Sequence, residues 1–144
     1  MATNPAKRPR PVAPHLFSGF LRIHYAWGPH MLVSILHRAT GVGMAMVGVP
    51  LFTWWVASVA GGAESYAAFR DVFTTSSGTL NILGWVIGVG LTLAFFEHMT
   101  TGVRHLVLDT GAGYELKRNK IGALACMVIA VTLAAAFWLY MGLR

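Results

Sequence analysis

Charged residues are scarce in this sequence, and three long stretches contain none. Asp, Glu, Lys and Arg make up 11% of the 144 residues, and all four are absent from residues 39–63, 72–96 and 121–143. An α-helix needs about 20 apolar residues to cross a hydrocarbon core of about 30 Å, and each stretch is long enough. A soluble helical protein would show polar residues at helical spacing, which these stretches almost entirely lack. The pattern therefore argues against a soluble fold.

Cysteine is almost absent as well. The single Cys126 lies inside the third stretch, so the chain has neither an internal disulfide nor a cysteine cluster. We expect Cys126 to be a small, packed side chain. The sequence also has no internal repeat and no low-complexity segment.

A cleavable signal peptide is not evident, because residues 1–30 lack its compact apolar core. The first spanning helix is therefore expected to direct membrane insertion itself. The start of the chain is rich in proline, which resists helix, so it differs from an amphipathic mitochondrial transit peptide. We accordingly expect the inner membrane of a bacterium.

The few charges lie at the ends of the apolar stretches. The formal net charge is +6, which in other contexts suggests nucleic-acid binding. Membrane topology explains it better, because cations gather on the inner side of membrane proteins. The rule predicts the N-terminus inside, the C-terminus outside and no nucleic-acid partner. The inner cations are then Lys7, Arg8, Arg10, Arg22, Arg38, Arg104, Lys117, Arg118 and Lys120, and the outer ones Arg70 and Arg144.

The sequence thus predicts an all-α membrane protein with three transmembrane helices, near residues 30–59, 79–109 and 121–142. An amphipathic, aromatic segment over residues 15–33 is expected to lie along the inner membrane surface. The chain would divide into a tail and interfacial segment over residues 1–29 and a three-helix anchor domain over residues 30–144.

Local signals refine this outline. Pro50 is expected to kink the first helix. Residues 63–73 are expected to form a short surface helix in the outer loop. Gly111 and Gly113 are expected to end the second helix, and residues 117–120 to form the inner turn before the third.

Two histidines follow the second apolar stretch. His98 and His105 are seven residues apart, so they share one face of a helix, and His98 lies ~6–9 Å above the inner boundary. A neutral imidazole there suits an axial haem ligand or a metal site; the alternative is a helix–helix hydrogen bond. Gly102 between them permits close approach of a macrocycle or a backbone. Arg104 and His105 suit haem propionates, or serve as a positive membrane anchor.

A second polar cluster opens the first helix. Ser34 and Arg38 are four residues apart and share a face, with His37 beside them. Topology brings this cluster to the same membrane level as His105. A hydroxyl and a guanidinium there suit a quinone carbonyl, and the alternative is capping and snorkelling.

The sequence also points to a membrane partner. A six-coordinate haem needs a second ligand, and His105 is a poor candidate because two turns separate it from His98 by ~10 Å. The ligand would most simply come from another chain. Gly84 and Gly88 have the spacing for close contact with a neighbouring helix, and three helices make a thin bundle around a haem.

Three motifs in this order resemble the cytochrome b membrane-anchor family of succinate dehydrogenase (succinate:quinone oxidoreductase, complex II). They are residues 10–16 (RPVAPHL), 34–41 (SILHRATG) and 98–111 (HMTTGVRHLVLDTG). The third is highly specific, and the resemblance covers nearly the whole chain. The sequence departs from the family pattern in a longer interval between Arg10 and Ser34, and in Glu97, a charge at unusual depth for which we expect a cation on a partner helix.

The resemblance implies specific roles. His98 would be an axial ligand of haem b, with the second ligand from a companion anchor subunit. His37, Arg38 and His105 would contact the haem propionates, and Ser34 and Arg38 would line the ubiquinone site. A flavoprotein with FAD and an iron–sulfur subunit would dock on the inner face and oxidise succinate, and this chain alone would have no enzymatic activity.

Two other functions remain open from the residues. One is a purely structural anchor that docks the dehydrogenase without haem. The other is a small transporter or channel subunit. Against it, the spanning helices have almost no polar stripe that could line a transport path.

Overall fold

The computed structural model describes residues 28–143. Over that range the chain forms helices joined by short turns, with an isolated antiparallel bridge between Thr74 and Leu80. The first long helix is Pro29–Ala60, the second Ile82–Asp109 and the third Leu116–Gly142. All three are long and apolar enough to cross a membrane. A short helix, Ala63–Phe73, follows the first. The predicted number and order of helices are confirmed, whereas the tail and most of the amphipathic segment lie outside the described residues.

The first long helix changes its winding part-way along. Pro29 occupies its first turn, where a missing N–H costs nothing. Residues Met44–Gly48 form a π-helical turn, in which the Val49 N–H donates to the Met44 carbonyl five residues back. Pro50 lies two residues beyond this turn, and in a regular α-helix its ring would collide with the carbonyl four residues earlier. The wider turn relieves that collision, so the disturbance expected at Pro50 takes this form.

Beyond the π turn, the first long helix leaves the other two. Among the described residues, the backbone of Val49–Ala60 approaches that of the short helix and not that of the second or third long helix. Trp54 provides the contact, with its ring 4.9 Å from that of Phe69 and 6.0 Å from that of Phe73. The short helix therefore fills the gap that opens between the first and second long helices.

The second long helix begins tightly against the short one. Asn81 caps it, because its side-chain oxygen accepts a hydrogen bond from the Gly84 N–H while its amide donates to the Val72 carbonyl. A Cβ on Gly84 would collide with the Phe73 carbonyl oxygen, and one on Gly88 would lie 3.1 Å from the Trp138 ring. This chain itself therefore occupies the close-contact surface of both glycines, and the expectation that they receive a partner helix is wrong.

Small residues join the second and third long helices. Ala123, Cys126, Ala130 and Ala134 are buried and recur at helical spacing along the third helix. The Thr100 hydroxyl donates to the Cys126 carbonyl at 3.3 Å, and the Cys126 thiol donates to the Thr100 carbonyl at 3.5 Å. Small side chains let helix backbones approach closely in membranes. Cys126 is thus a packed side chain, as expected.

The turn before the third helix lies earlier than predicted. Gly111 and Gly113 adopt φ of 85° and 81°, and they end the second helix as expected. The third helix already begins at Leu116, so residues 117–120 are helical rather than a turn. The prediction began the helix where the charge-free stretch begins, which shows only the apolar part of a helix. Lysine and arginine are good helix formers, so the helix extends back over them. The start of the first helix, the end of the second and the start of the third consequently lie at one end of the bundle.

Candidate functional site

Three histidines stack at that end of the bundle. The His37 ring from the first long helix lies between those of His98 and His105 from the second. It is parallel to His98, with ring centroids 3.9 Å apart and an interplanar angle of 7°. It is tilted against His105, with centroids 4.9 Å apart and an angle of 59°. We call His37, His98 and His105 the histidine column, and it brings together three of the five predicted site residues.

His98 is fixed by a hydrogen bond to the first long helix. Its Nδ1 lies 3.0 Å from the His37 carbonyl oxygen. A carbonyl oxygen can only accept, so Nδ1 carries the proton in this contact and the neutral ring has its lone pair on Nε2. This arrangement of one ring nitrogen bound to a backbone carbonyl is the usual way in which a protein orients a metal-ligating histidine.

Glycines let the rings reach these positions. A Cβ on Gly41 would lie 2.8 Å from the Cε1 atom of His98, so only glycine admits the ring this close to the first helix. A Cβ on Gly102 would lie 3.8 Å from the His37 Nε2 atom. The group that approaches Gly102 within this chain is therefore the His37 imidazole.

Glu97 is buried beside the column and bonded to two hydroxyls. It is 6% exposed, and Thr101, one turn along the same helix, is fully buried. The Thr101 hydroxyl donates to one carboxyl oxygen at 3.0 Å, and the Thr40 hydroxyl of the first helix lies 3.0 Å from the other. The Thr40 hydroxyl also lies 2.8 Å from the Leu36 carbonyl of its own helix. Within residues 28–143 each carboxyl oxygen of Glu97 thus has a hydroxyl of this chain within hydrogen-bonding distance.

The two other predicted site residues, Ser34 and Arg38, lie nearer the surface of the bundle, at the end that holds the histidine column. Arg38 is exposed and Ser34 half-buried, one helical turn apart on the first long helix. Arg104 turns towards the third helix, where its guanidinium donates to the Asn119 side-chain oxygen. Arg104 therefore joins two helices, a role that the sequence did not indicate.

An apolar groove of about 350 Å³ runs between the first and second long helices, next to Thr40. Ala94 lies one turn from His98 and belongs to this groove, so the space borders the column. Its small residues leave room for a flat apolar group. The lining residues are Ala39, Thr40, Gly43, Val47, Val86, Ile87, Gly90, Leu91 and Ala94.

The column is not arranged as a chelating site. In the described part of the chain, no three His, Cys, Asp or Glu side chains are placed to hold a bare metal ion.

Comparison with known proteins decides the family. Residues 6–138 match the model of the succinate dehydrogenase/fumarate reductase transmembrane subunit. The chain belongs to this family. The fold is accordingly that of an all-helical transmembrane subunit with three spanning helices, as the sequence predicts.

Individual members of the family align along most of the chain. The succinate dehydrogenase cytochrome b556 subunit of Paracoccus denitrificans is 30% identical over 125 residues, which cover 87% of this chain and 86% of that protein. The cytochrome b556 subunit of Rickettsia felis is 28% identical over 129 residues, 90% of each chain. The mitochondrial cytochrome b560 subunit of Bos taurus is 28% identical over 122 residues, 85% of this chain and 66% of the relative.

Proposed function

We propose that this chain is the haem b- and quinone-binding anchor subunit of a succinate dehydrogenase, which passes electrons from succinate oxidation to ubiquinone. The observation that carries the proposal is the hydrogen bond of the His98 ring. Its Nδ1 is bound to the His37 carbonyl, which leaves Nε2 with the lone pair that an axial iron ligand requires. The cytochrome b names of the relatives support a haem of the b type.

The residues around His98 fit a haem. Gly41 admits the ring, and the apolar groove beside Thr40 offers an adjoining apolar surface. In this proposal His98 ligates the iron, and His37, Arg38 and His105 contact the propionates. Positive and hydrogen-bonding groups suit carboxylates at this depth.

We assign the quinone to the first long helix, at the same end of the bundle, where Arg38 is exposed. The hydroxyl of Ser34 and the guanidinium of Arg38, one turn apart, would hydrogen-bond the ubiquinone carbonyl. The haem supplies one-electron redox chemistry, while the protein contributes binding, orientation and electrostatics.

The proposal includes partners, because the relatives are named as cytochrome b556 subunits of succinate dehydrogenase. A companion anchor subunit would provide the second ligand. A flavoprotein carrying FAD and an iron–sulfur subunit would bind at the column's end of the bundle, and no activity is expected without them. Large exposed apolar side chains on all three long helices support burial against lipid and other membrane subunits.

The proposed setting is a bacterial inner membrane, with the N-terminus inside and the C-terminus outside. The column's end would then face the cytoplasm. Among the described residues, Arg38, Arg104, Lys117, Arg118 and Lys120 all belong to that end, which supports the orientation through the positive-inside rule.

The first test is to purify the tagged chain gently from its native membrane and record its visible spectrum before and after adding succinate. We expect a reduced b-haem band and three co-purifying subunits. Haem-free protein with the same partners would identify a purely structural anchor. Absence of both haem and dehydrogenase partners would contradict the redox proposal altogether.

Gly41→Ala tests the geometry around His98. The added methyl would have to displace the His98 ring, since it would lie 2.8 Å from Cε1. We expect haem binding to weaken by about tenfold, as when other outer-shell supports of a metal ligand are disturbed. Haem per complex, measured from the pyridine haemochromogen spectrum, checks this.

Gly48→Ala is the matched control on the same helix, because its Cβ would be in ordinary contact 3.6 Å from Leu91. Wild-type haem content is expected for this variant. Equal haem content in both variants would show that the ring does not occupy this position in the complex.

A further inference from the structure

Two parallel links join the first and second long helices at the proposed haem ligand. One is the hydrogen bond from His98 Nδ1 to the His37 carbonyl, at 3.0 Å. The other brings the Thr40 hydroxyl, which also lies 2.8 Å from the Leu36 carbonyl of its own helix, to 3.0 Å from Glu97 Oε2. His37 and Thr40 are one turn apart on the first helix, and Glu97 and His98 are neighbours on the second. The two links therefore control the same inter-helix spacing.

The burial of Glu97 needs an explanation. Removing a carboxyl group from water is costly, and buried polar groups are retained where they are hydrogen-bonded. Within residues 28–143 no cation forms an ion pair with Glu97. An apolar side chain would fill such a helix interface without this cost. A carboxyl group at this position is thus better explained by the neighbouring side chains that it holds in place than by a contribution to stability.

The carboxyl group is held in place before it meets the first helix. The Thr101 hydroxyl, buried and one turn away, donates to Oε1. That bond fixes the side-chain rotamer and points Oε2 at Thr40. The Thr40 oxygen in turn lies 3.4 Å from His98 Nδ1, on the side of the ring that also meets the His37 carbonyl.

We infer that Glu97 is a positioning residue for the haem ligand, acting through Thr40 and held by Thr101. This inference rests on the proposed haem-binding function and deepens it. The Glu97–Thr40 link sets how far the His37 carbonyl stands from His98, and so sets the plane of the imidazole. Neither Glu97 nor Thr40 needs to touch the haem for this effect.

The test uses the whole complex purified from membranes that carry Glu97→Leu or Thr40→Val. Val matches Thr in shape and carries a methyl group in place of the hydroxyl, so Thr40→Val decides the outcome if Glu97→Leu does not assemble. We expect haem transfer to excess apomyoglobin to be about 10–100-fold faster in both variants, the usual range for loss of an outer-shell partner. The electron paramagnetic resonance signal of the oxidised low-spin haem, which reports the axial ring orientation, should also shift.

Conservative variants should restore both readouts. In Glu97→Gln the amide can accept from Thr40 and donate to Thr101, and Thr40→Ser keeps the hydroxyl. Thr92→Val is the matched control, because among the described residues the Thr92 hydroxyl donates to the Gly88 carbonyl of its own helix, as Thr40 can to that of Leu36, and bonds no carboxyl group. It should behave as wild type.

The outcomes separate this inference from the proposed function. If Glu97→Leu and Thr40→Val keep wild-type transfer rates and resonance signals while His98→Ala loses haem, the positioning role is wrong and the haem ligand stands. If wild type holds no haem, or His98→Ala retains it, the proposed function fails and this inference fails with it.

Discussion

Replacement of His98 by alanine is expected to remove haem from the complex while the complex still assembles. The iron would lose a direct ligand, so the loss should exceed the roughly 10–100-fold that removal of an outer-shell partner costs. Assembly should persist because the packing of the second on the third long helix rests elsewhere, on Ala123, Cys126, Ala130 and Ala134. The measurement is the reduced-minus-oxidised spectrum of the purified complex, with subunit content read from a gel.

His30→Ala is the matched control. His30 lies in the first turn of the first long helix and is half-buried, but it is not part of the histidine column. Its variant is expected to keep the b-haem band. A haem band of wild-type intensity in His98→Ala would exclude His98 as a ligand. Loss of all four subunits together would instead show that His98 is needed for folding, and His98→Gln would then separate the roles by keeping a polar side chain of similar size.

The spanning helices were predictable because a charged side chain is costly in hydrocarbon, so charged residues are absent from the stretches that cross it. The cost applies only inside the membrane, so the absence of charge locates the apolar core of a helix and not its ends. The third helix shows the difference. Its first turn and a half carries Lys117, Arg118 and Lys120, which are unfavourable in lipid but favourable in a helix at the membrane surface.

The histidine column was predictable only in part. Spacing placed His98 and His105 on one face, two turns apart, and it left open what would lie between them. The structure fills the interval with the ring of His37. Periodicity describes one helix at a time, whereas the side chain that enters a gap depends on how two helices pack.

The hydroxyls around Glu97 were missed for a related reason. Threonine in an apolar helix commonly donates to a carbonyl one turn back, as Thr92 and Thr132 do here. Thr40 also lies 2.8 Å from a carbonyl one turn back, that of Leu36, and nothing in the sequence shows that Thr40 and Thr101 meet the carboxyl group as well. The one available signal was the buried charge itself, since a carboxyl at that depth requires donors nearby. The bond from Arg104 to Asn119 was overlooked in the same way, because a positive charge at a membrane edge has a sufficient explanation in topology.

Arg38→Leu is expected to cut electron transfer to quinone while succinate oxidation by a soluble dye stays intact. Arg38 is exposed and lies outside the histidine column, so its removal leaves the packing of His98 unchanged. A hydrogen bond from a charged group contributes about 1.5–3 kcal/mol, and its loss corresponds to roughly a 10–100-fold fall in kcat/KM for ubiquinone. Both electron acceptors are assayed with the same purified complex, so that the ratio of the two activities does not depend on the amount of complex.

Two further variants make this result specific to the guanidinium of Arg38. Arg118→Leu removes a cation from the same end of the bundle, where Arg118 forms an exposed pair with Glu115, and it should leave both activities unchanged. Arg38→Lys keeps the charge but loses the planar fork of donors, so it should recover only part of the quinone activity. If Arg38→Leu lowers both activities equally, the arginine serves docking of the dehydrogenase. If it lowers neither, the quinone site lies elsewhere, and Ser34, one turn away on the same face, loses its assignment with it.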